Sequence, residues 1–373
     1  MWAADCTDHP KSPLQHIVTT PAALCELAER LAATPAIALD TEFLRERTYR
    51  AELCLLQTAT SEQAACVDPL ALADLSPLAV PLCTATPVKV MHASRQDIEV
   101  LFPVVGQVRP VFDTQIAAAL AGMPAQIGYG ELVRRRLGVE LAKSHTRADW
   151  TRRPLPREQV EYALDDVRYL LPLKQSLEEE LHRLGRLDWL AEELAQLTEP
   201  RHFTVDPEQA WVRLKGLRGL DAGRQRLVQS LAAWRERRAV ERNKPRGWIL
   251  DDLALREIVA RVPRTLDALA QVPELPPGTV KHSGGEILAK VAAADISEPP
   301  PPLPLRARSD PAQTALVKKL AAINQATAVQ LQVGPEILAT RRDLEQLAEG
   351  RRDVPTLTGW RRKVIGERLL AAL

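Results

Sequence analysis

Long apolar runs are missing from this 373-residue sequence. A membrane-spanning helix needs about 20 consecutive apolar residues, and the longest candidates here are broken by Asp, Glu or Arg. No membrane partner is expected. The opening stretch, MWAADCTDHPKS, has no basic segment leading into an apolar one, so no signal peptide is read and a cytoplasmic location is expected. Cysteine is scarce: Cys6, Cys25, Cys54, Cys66 and Cys83 all lie near the start, and no two are spaced CxxC. An odd, scattered set without neighbouring histidines excludes a disulfide frame and a structural zinc site. Aromatic residues make up only 4%. Net charge is almost absent as well, at +1.

That near-zero balance conceals a split. Residues 1–200 hold 20 Lys and Arg against 28 Asp and Glu, whereas residues 201–373 hold 29 against 20. An acidic module followed by a basic one suits metal binding in the first and nucleic-acid binding in the second. The pattern along the chain agrees. Apolar, β-compatible runs at 35–43, 51–59, 64–67 and 87–91 read as strands. Helical periodicity appears at 21–33, about 70–79, 95–102, 113–121, 128–137 and in one long segment across 157–184. Strands with interleaved helices make residues 1–200 an α/β domain. After residue 200 the strand signal stops, and 207–292 reads as several helices. A Pro-rich linker at 293–309 contains Glu298-Pro299-Pro300-Pro301-Pro302-Leu303-Pro304, which cannot be helical. A small helical module at 310–373 follows.

Carboxylates carry the chemistry. Asp40 and Glu42 end the apolar run Ala38-Leu39-Asp40-Thr41-Glu42-Phe43. Residues two apart on a strand share a face, so both acids point the same way, where burial and like charge raise their cost and a cation relieves it. An isolated DxE is usually just an acidic strand end facing water. Asp97 lies three residues after Ser94, the capping-box spacing, so its default role is to close the helix start. Tyr162 and Asp166 are four apart and share one helix face; Asp165 points about 100° away and reads as surface or as support.

Each piece alone is ordinary, but their order is not. A strand DxE, then a strand–helix junction with Asp, then a helical YxxxD resembles the tyrosine-bearing branch of the Asp-Glu-Asp-Asp superfamily of 3′→5′ exonucleases. More closely, the sequence resembles the ribonuclease D family. The likeness rests on ALDTEFLRERTYRAELCLLQTA, HASRQDIEVL, VFDTQIAAAL, KSHTRADWTRRPL and EQVEYALDDVRYLLPL. All five motif positions hold the expected residue types. The resemblance implies an RNase H-like exonuclease domain with a mixed central sheet, followed by two small all-α HRDC-like domains. It implies Asp40, Glu42, Asp97 and Asp166 as ligands of two divalent cations, and Tyr162 as a fifth catalytic residue. Oxygen-only donors select Mg²⁺ or Mn²⁺ over zinc. Two such ions assist in-line phosphoryl displacement. Tyr162 would orient the attacking water, since a phenol of ordinary pKa about 10 is a weak base near neutrality.

Neighbouring positions supply substrate candidates. Phe43 could stack on or wedge a terminal base or else pack in the core, and His92, which follows a strand, could approach the substrate or serve as a hydrogen-bonded structural histidine. Lys143, Arg147, Arg152 and Arg153 lie between the later motifs, where some could meet phosphate and others solvate a loop. Asp113 reads as an N-cap with a supporting role as its alternative. In the basic half, residues 201–250 carry 12 Lys and Arg against 5 Asp and Glu. The stretch Trp234 to Leu250 with His282-Ser283-Gly284-Gly285-Glu286-Ile287-Leu288 resembles an HRDC domain (207–292). A fainter likeness over 310–373 rests on Ile337 to Leu344 and on Leu357-Thr358-Gly359-Trp360-Arg361. The expected activity is exoribonucleolytic release of 5′-mononucleotides from RNA with a free 3′ end, with tRNA precursors implied by the resemblance. No obligate protein partner is inferred. The alternatives are a DNA exonuclease of the same chemistry and a silent nucleic-acid-binding protein.

Overall fold

A computed structural model describes residues 17–141, 148–217, 220–294 and 311–373. The chain divides into two compact units. Residues up to 44, 53–203 and 311–373 supply the described part of the first, and 45–52 with 204–294 that of the second.

The first unit is built on a six-stranded sheet. In chain order its strands are β1 (Ile17–Val18), β2 (Ala36–Leu44), β3 (Glu52–Ala59), β4 (Ala64–Val67), β5 (Val88–Met91) and β6 (Val111–Asp113). They lie in the order β1-β4-β3-β2-β5-β6. β3 and β4 are antiparallel, while β2 with β5, β5 with β6 and β1 with β4 are parallel. The sheet is therefore mixed, as expected. Ile37, Ala38 and Leu39 are all fully buried, the mark of a strand covered on both faces.

Among the described residues, eight helices surround the sheet: α1 (Pro21–Ala32), α2 (Ala79–Cys83), α3 (Arg95–Val105), α4 (Thr114–Leu120), α5 (Tyr129–Leu137), α6 (Arg157–Arg168), α7 (Leu170–Arg183) and α8 (Leu187–Leu197). Three expectations change here. The long helix across 157–184 is two helices, broken at Tyr169. Pro172 explains the break: in an unbroken helix its ring would clash with the carbonyl four residues back, whereas in the first turn of α7 no N–H is needed. The helix expected near 70–79 is instead a 3₁₀ turn at Ser76–Leu78 leading into α2. Asp74 accepts bonds from the Ser76 backbone and hydroxyl at 2.8 and 2.7 Å, fixing a turn ahead of Pro77. The helix expected over 113–121 starts one residue later, because Val111–Asp113 is a strand. β1 and β6 are too short to leave a periodic signal.

The second unit is all-helical: α9 (Ala222–Arg242), α10 (Arg246–Ile249), α11 (Asp252–Arg261), α12 (Leu266–Ala270) and α13 (Pro277–Ala293). Its core gathers Trp211, Leu231, Trp234, Leu255, Ile258 and Ile287. α9 ends as Asn243 turns left-handed (φ 46°) ahead of Pro245, a C-cap of the asparagine kind. Glu236, 1% exposed, accepts from Arg246 Nε at 2.6 Å and from the Tyr49 hydroxyl.

The last helices are α14 (Pro311–Leu331), α15 (Pro335–Leu338), α16 (Arg341–Ala348), α17 (Gly359–Arg361) and α18 (Glu367–Leu370). They share one apolar core with α4, α7 and α8 of the sheet unit. Trp360 stacks on Trp189 with ring centres 4.3 Å apart. The Trp360 N–H donates to Glu192 Oε2 at 2.8 Å, and its indole N–H to Glu193 Oε1 at 2.8 Å. A Cβ on Gly359 would lie 1.9 Å from the Glu192 carboxylate, and its φ is +52°. A side chain there would take a left-handed backbone and displace the Glu192 carboxylate, so glycine is favoured.

Candidate active site

Three elements of the first unit bring the acids together. β2 delivers Asp40 and Glu42, α3 delivers Asp97 from its first turn, and α6 delivers Tyr162 and Asp166 from one face. Burial raises the pKa of Asp40 most, and the charges of Asp97, Asp166 and Glu42 raise it further. Glu42 is pushed up to about 8 by burial, then by Asp166 and Asp97. Asp97 rises to about 6 through burial, although the Thr41 hydroxyl donates to it and pulls the other way. Asp166 rises to about 7 through burial, partly offset by the Tyr162 hydrogen bond. Tyr162 is itself pushed up by burial and by Asp166 and Glu42, so its phenol stays protonated and donates. Among the described residues, no three His, Cys, Asp or Glu close into a finished cation cage. The acids form an open cluster in which Thr41 and Tyr162 hold two of the four.

The turn from β5 into α3 is not capped by Ser94 and Asp97. Ser94 makes no side-chain cap; its hydroxyl donates to Asp113 Oδ2 at 2.8 Å and its N–H to the same oxygen at 2.7 Å. Asp113 Oδ1 accepts from Ala93, Gln115 and Ile116 N–H at 3.2, 2.8 and 3.2 Å. One carboxylate therefore caps α4 and fixes the turn that aims α3. Freed from capping, Asp97 faces the acid cluster. Ala93 sits at φ 53°, a conformation that costs an L-residue about 1–2 kcal/mol.

The remaining candidates separate. Both ring nitrogens of His92 are engaged, Nδ1 by Thr114 Oγ1 at 2.9 Å and Nε2 by the Ile127 carbonyl at 3.0 Å, and its ring packs on Tyr129. Phe43 is partly exposed at the end of β2. Arg152 is exposed, and its guanidinium has no hydrogen bond or ion pair among the described residues. Arg153 is a clamp: it forks onto Asp68 at 2.6 and 2.7 Å and donates to the Cys54 and Trp150 carbonyls. Asp165 pairs with Arg168. Lys143 and Arg147 lie outside the described residues.

Thr41 and Tyr129 went unread in the sequence. Thr41 stood between two acids, and its hydroxyl was the available signal. Tyr129 donates to the Asp165 carbonyl at 2.9 Å and accepts from the Tyr169 N–H at 3.2 Å, tying down the end of α6. No local pattern forecasts a contact across 36 residues.

Comparison with known proteins identifies the family and the fold. The family described as 3′-5′ exonuclease matches residues 15–182, and the HRDC domain family matches residues 224–291. Ribonuclease D of Gluconacetobacter diazotrophicus is 40% identical over 366 residues, covering 95% of this chain and 92% of that protein. The chain belongs to the ribonuclease D family. It is thus a hydrolase, a 3′→5′ exoribonuclease. Ribonuclease D of Jannaschia sp. is also 40% identical, over 96% of this chain and 95% of its own. The crystal structure of Escherichia coli RNase D, described as an exoribonuclease involved in structured RNA processing, superposes with a TM-score of 0.87. It is 33% identical and covers 96% of this chain and 98% of that one.

Proposed function

We propose that Asp40, Glu42, Asp97 and Asp166 together hold two divalent cations, Mg²⁺ or Mn²⁺, against the terminal phosphodiester of an RNA 3′ end. The observation that carries this reading is the gathering of four acids from three distant segments, Asp97 buried and the other three half-buried, each raised in pKa by desolvation and, for Asp40 and Glu42, by the others' charge. Such a set is costly on its own and is relieved by positive charge. Its donors are all hard oxygens, the chemistry Mg²⁺ and Mn²⁺ take. When bound, the cations supply an acidified water and charge balance at the phosphate. Tyr162, held protonated against Asp166, orients the water rather than removing its proton. Thr41 fixes the rotamer of Asp97. Phe43 at the strand end faces the terminal base, and the exposed Arg152 meets a phosphate.

Within the second unit, Arg213, Lys215, Arg242 and Lys244 are exposed, and this basic surface anchors the RNA body. Residues 207–292 serve as the first HRDC domain and 310–373 as a second HRDC-like module. Precursors of tRNA and other small structured RNAs are the proposed substrates, with cytoplasmic action. The test is degradation of 3′- and 5′-labelled RNA and DNA with Mg²⁺, with Mn²⁺ and with chelator. Asp40→Asn is expected to abolish metal-dependent release of 5′-mononucleotides while leaving thermal unfolding intact. Near-native rates in Asp40→Asn would reject the assignment.

A further inference from the structure

At the edge of the sheet unit opposite the acids, a cavity of about 760 Å³ opens between α8 and the segments that enter β5 and β6. The parallel strands β2, β5 and β6 carry the acids and Asp113 at their C-terminal ends, whereas the cavity is lined by Cys83, Thr84 and Ala85 before β5 and by Arg109, Pro110 and Val111 at the start of β6. Its third wall is α8, through Ala191, Leu194, Ala195 and Thr198. The volume falls in the range of small-molecule sites, and most of the wall is apolar.

The one charged residue in its lining is a cation. Arg109 lines the opening and is exposed, and its guanidinium has no hydrogen bond or ion pair among the described residues. Behind the Thr84 wall lies Lys89, fully buried. Its ammonium donates to the Thr84 and Pro87 carbonyls at 2.9 and 2.7 Å, and no carboxylate pairs with it among the described residues. No Asp or Glu lines the cavity. Burial pulls Lys89 down to about 8, and the neighbouring Arg109 lowers it further, although the Cys83 thiol opposes this. Buried charges are ordinarily paired; Lys89 instead rests on two carbonyls, and the exposed Arg109 at the opening has no anion paired with it among the described residues.

We infer that this cavity is a binding site for a small amphipathic oxyanion, a carboxylate, sulfonate or phosphate ester whose apolar body lies against Leu194, Ala195 and Val111 and whose charge meets Arg109. Arg109 supplies the directional N–H donors and Lys89 the field behind them. The Thr84 hydroxyl is already committed to the Val80 and Thr86 carbonyls at 2.6 and 2.7 Å, so recognition rests on charge and shape.

The test uses the full chain and 8-anilinonaphthalene-1-sulfonate as probe, with uncharged N-phenyl-1-naphthylamine as its comparison, followed by fluorescence and titration calorimetry. Saturable one-to-one binding of the sulfonate is expected. Arg109→Gln should raise its Kd at least tenfold while changing that of the neutral amine less than twofold. Ala195→Trp, which crowds the apolar wall, should weaken both. Exonuclease rates of Arg109→Gln without probe should equal those of the parent. Absence of saturable binding overturns the inference, as does an equal sulfonate Kd in parent and Arg109→Gln, which would mark a merely apolar hole. Arg109→Gln changes an exposed side chain, so it decides the question even where Ala195→Trp fails to fold.

Discussion

Replacing Asp113 with Asn tests how the fold aims the acid on α3. Five hydrogen bonds end on the two Asp113 oxygens. Asn keeps one oxygen and turns an NH₂ toward donors on the other side. If the oxygen stays with α4 and Ala93, the Ser94 N–H loses its acceptor and faces an NH₂, while the Ser94 hydroxyl has to turn and accept; a hydrogen bond to a charged acceptor contributes about 1.5–3 kcal/mol. Those bonds also offset the left-handed cost at Ala93, about 1–2 kcal/mol. The expected loss is about 3 kcal/mol, or about 6–12 °C in Tm at roughly 2–4 °C per kcal/mol for a unit of this size. Calorimetry on Asp113→Asn, Ala93→Gly and the pair reads it directly. Ala93→Gly should restore about 1 kcal/mol in the Asn background by removing the backbone cost. Because Asp97 rides on the same turn, Asp113→Asn should also raise the Mg²⁺ concentration needed for half-maximal rate, and Ala93→Gly should not reverse that shift. A Tm within about 1 °C of the parent, or a reduced Tm with an unchanged Mg²⁺ requirement, would refute the coupling of Asp113 to Asp97.

Other consequences are simpler to read. Tyr162→Phe removes one hydrogen bond at a charged centre and should lower kcat about tenfold to a hundredfold with KM within about twofold; equal kcat would remove Tyr162 from the reaction. Arg153→Met strands the buried Asp68 and should cost about 3–5 kcal/mol in chemical denaturation. Burial alone would raise Asp68, but Arg153 and the Leu70 and Ala71 N–H groups outweigh it and hold the carboxyl below its usual range. That stabilisation is present above the unfolded value near 3.9 and is lost as pH falls through the folded one. The parent should therefore lose stability more steeply below about pH 4 than Arg153→Met does, and parallel curves would contradict the pairing. Changing Arg213, Lys215, Arg242 and Lys244 together to Gln should weaken RNA binding and reduce its salt slope by about 0.7 for each phosphate left without a cationic partner; an unchanged slope would place the RNA elsewhere.

Local rules placed the five motif residues, by period two on β2, spacing four on α6 and a junction between strand and helix at Asp97, but only their order along the chain singled them out. What could not be read locally was which competing role each would take. The Ser94–Asp97 spacing fits a capping box, and only the arrival of Asp113 from β6 draws Ser94 away and leaves Asp97 facing the cluster. Arg153 looked like any loop cation until Asp68, 85 residues earlier, closed on it.

The sequence by itself determined the α/β-then-helical plan and the separation of acidic from basic halves, since these follow from periodicity and composition, while the acids and their tyrosine were marked by motif order and the family resemblance it carries. Tertiary structure alone decided the partners. The motif Leu357-Thr358-Gly359-Trp360-Arg361 reads as part of a separate module, yet its tryptophan stacks on Trp189 and its backbone meets Glu192, within one unit with the sheet. Burial and pairing depend on which surfaces meet across hundreds of residues. Periodicity records only that a face is apolar or charged, and the identity of what covers it is fixed when the chain closes on itself.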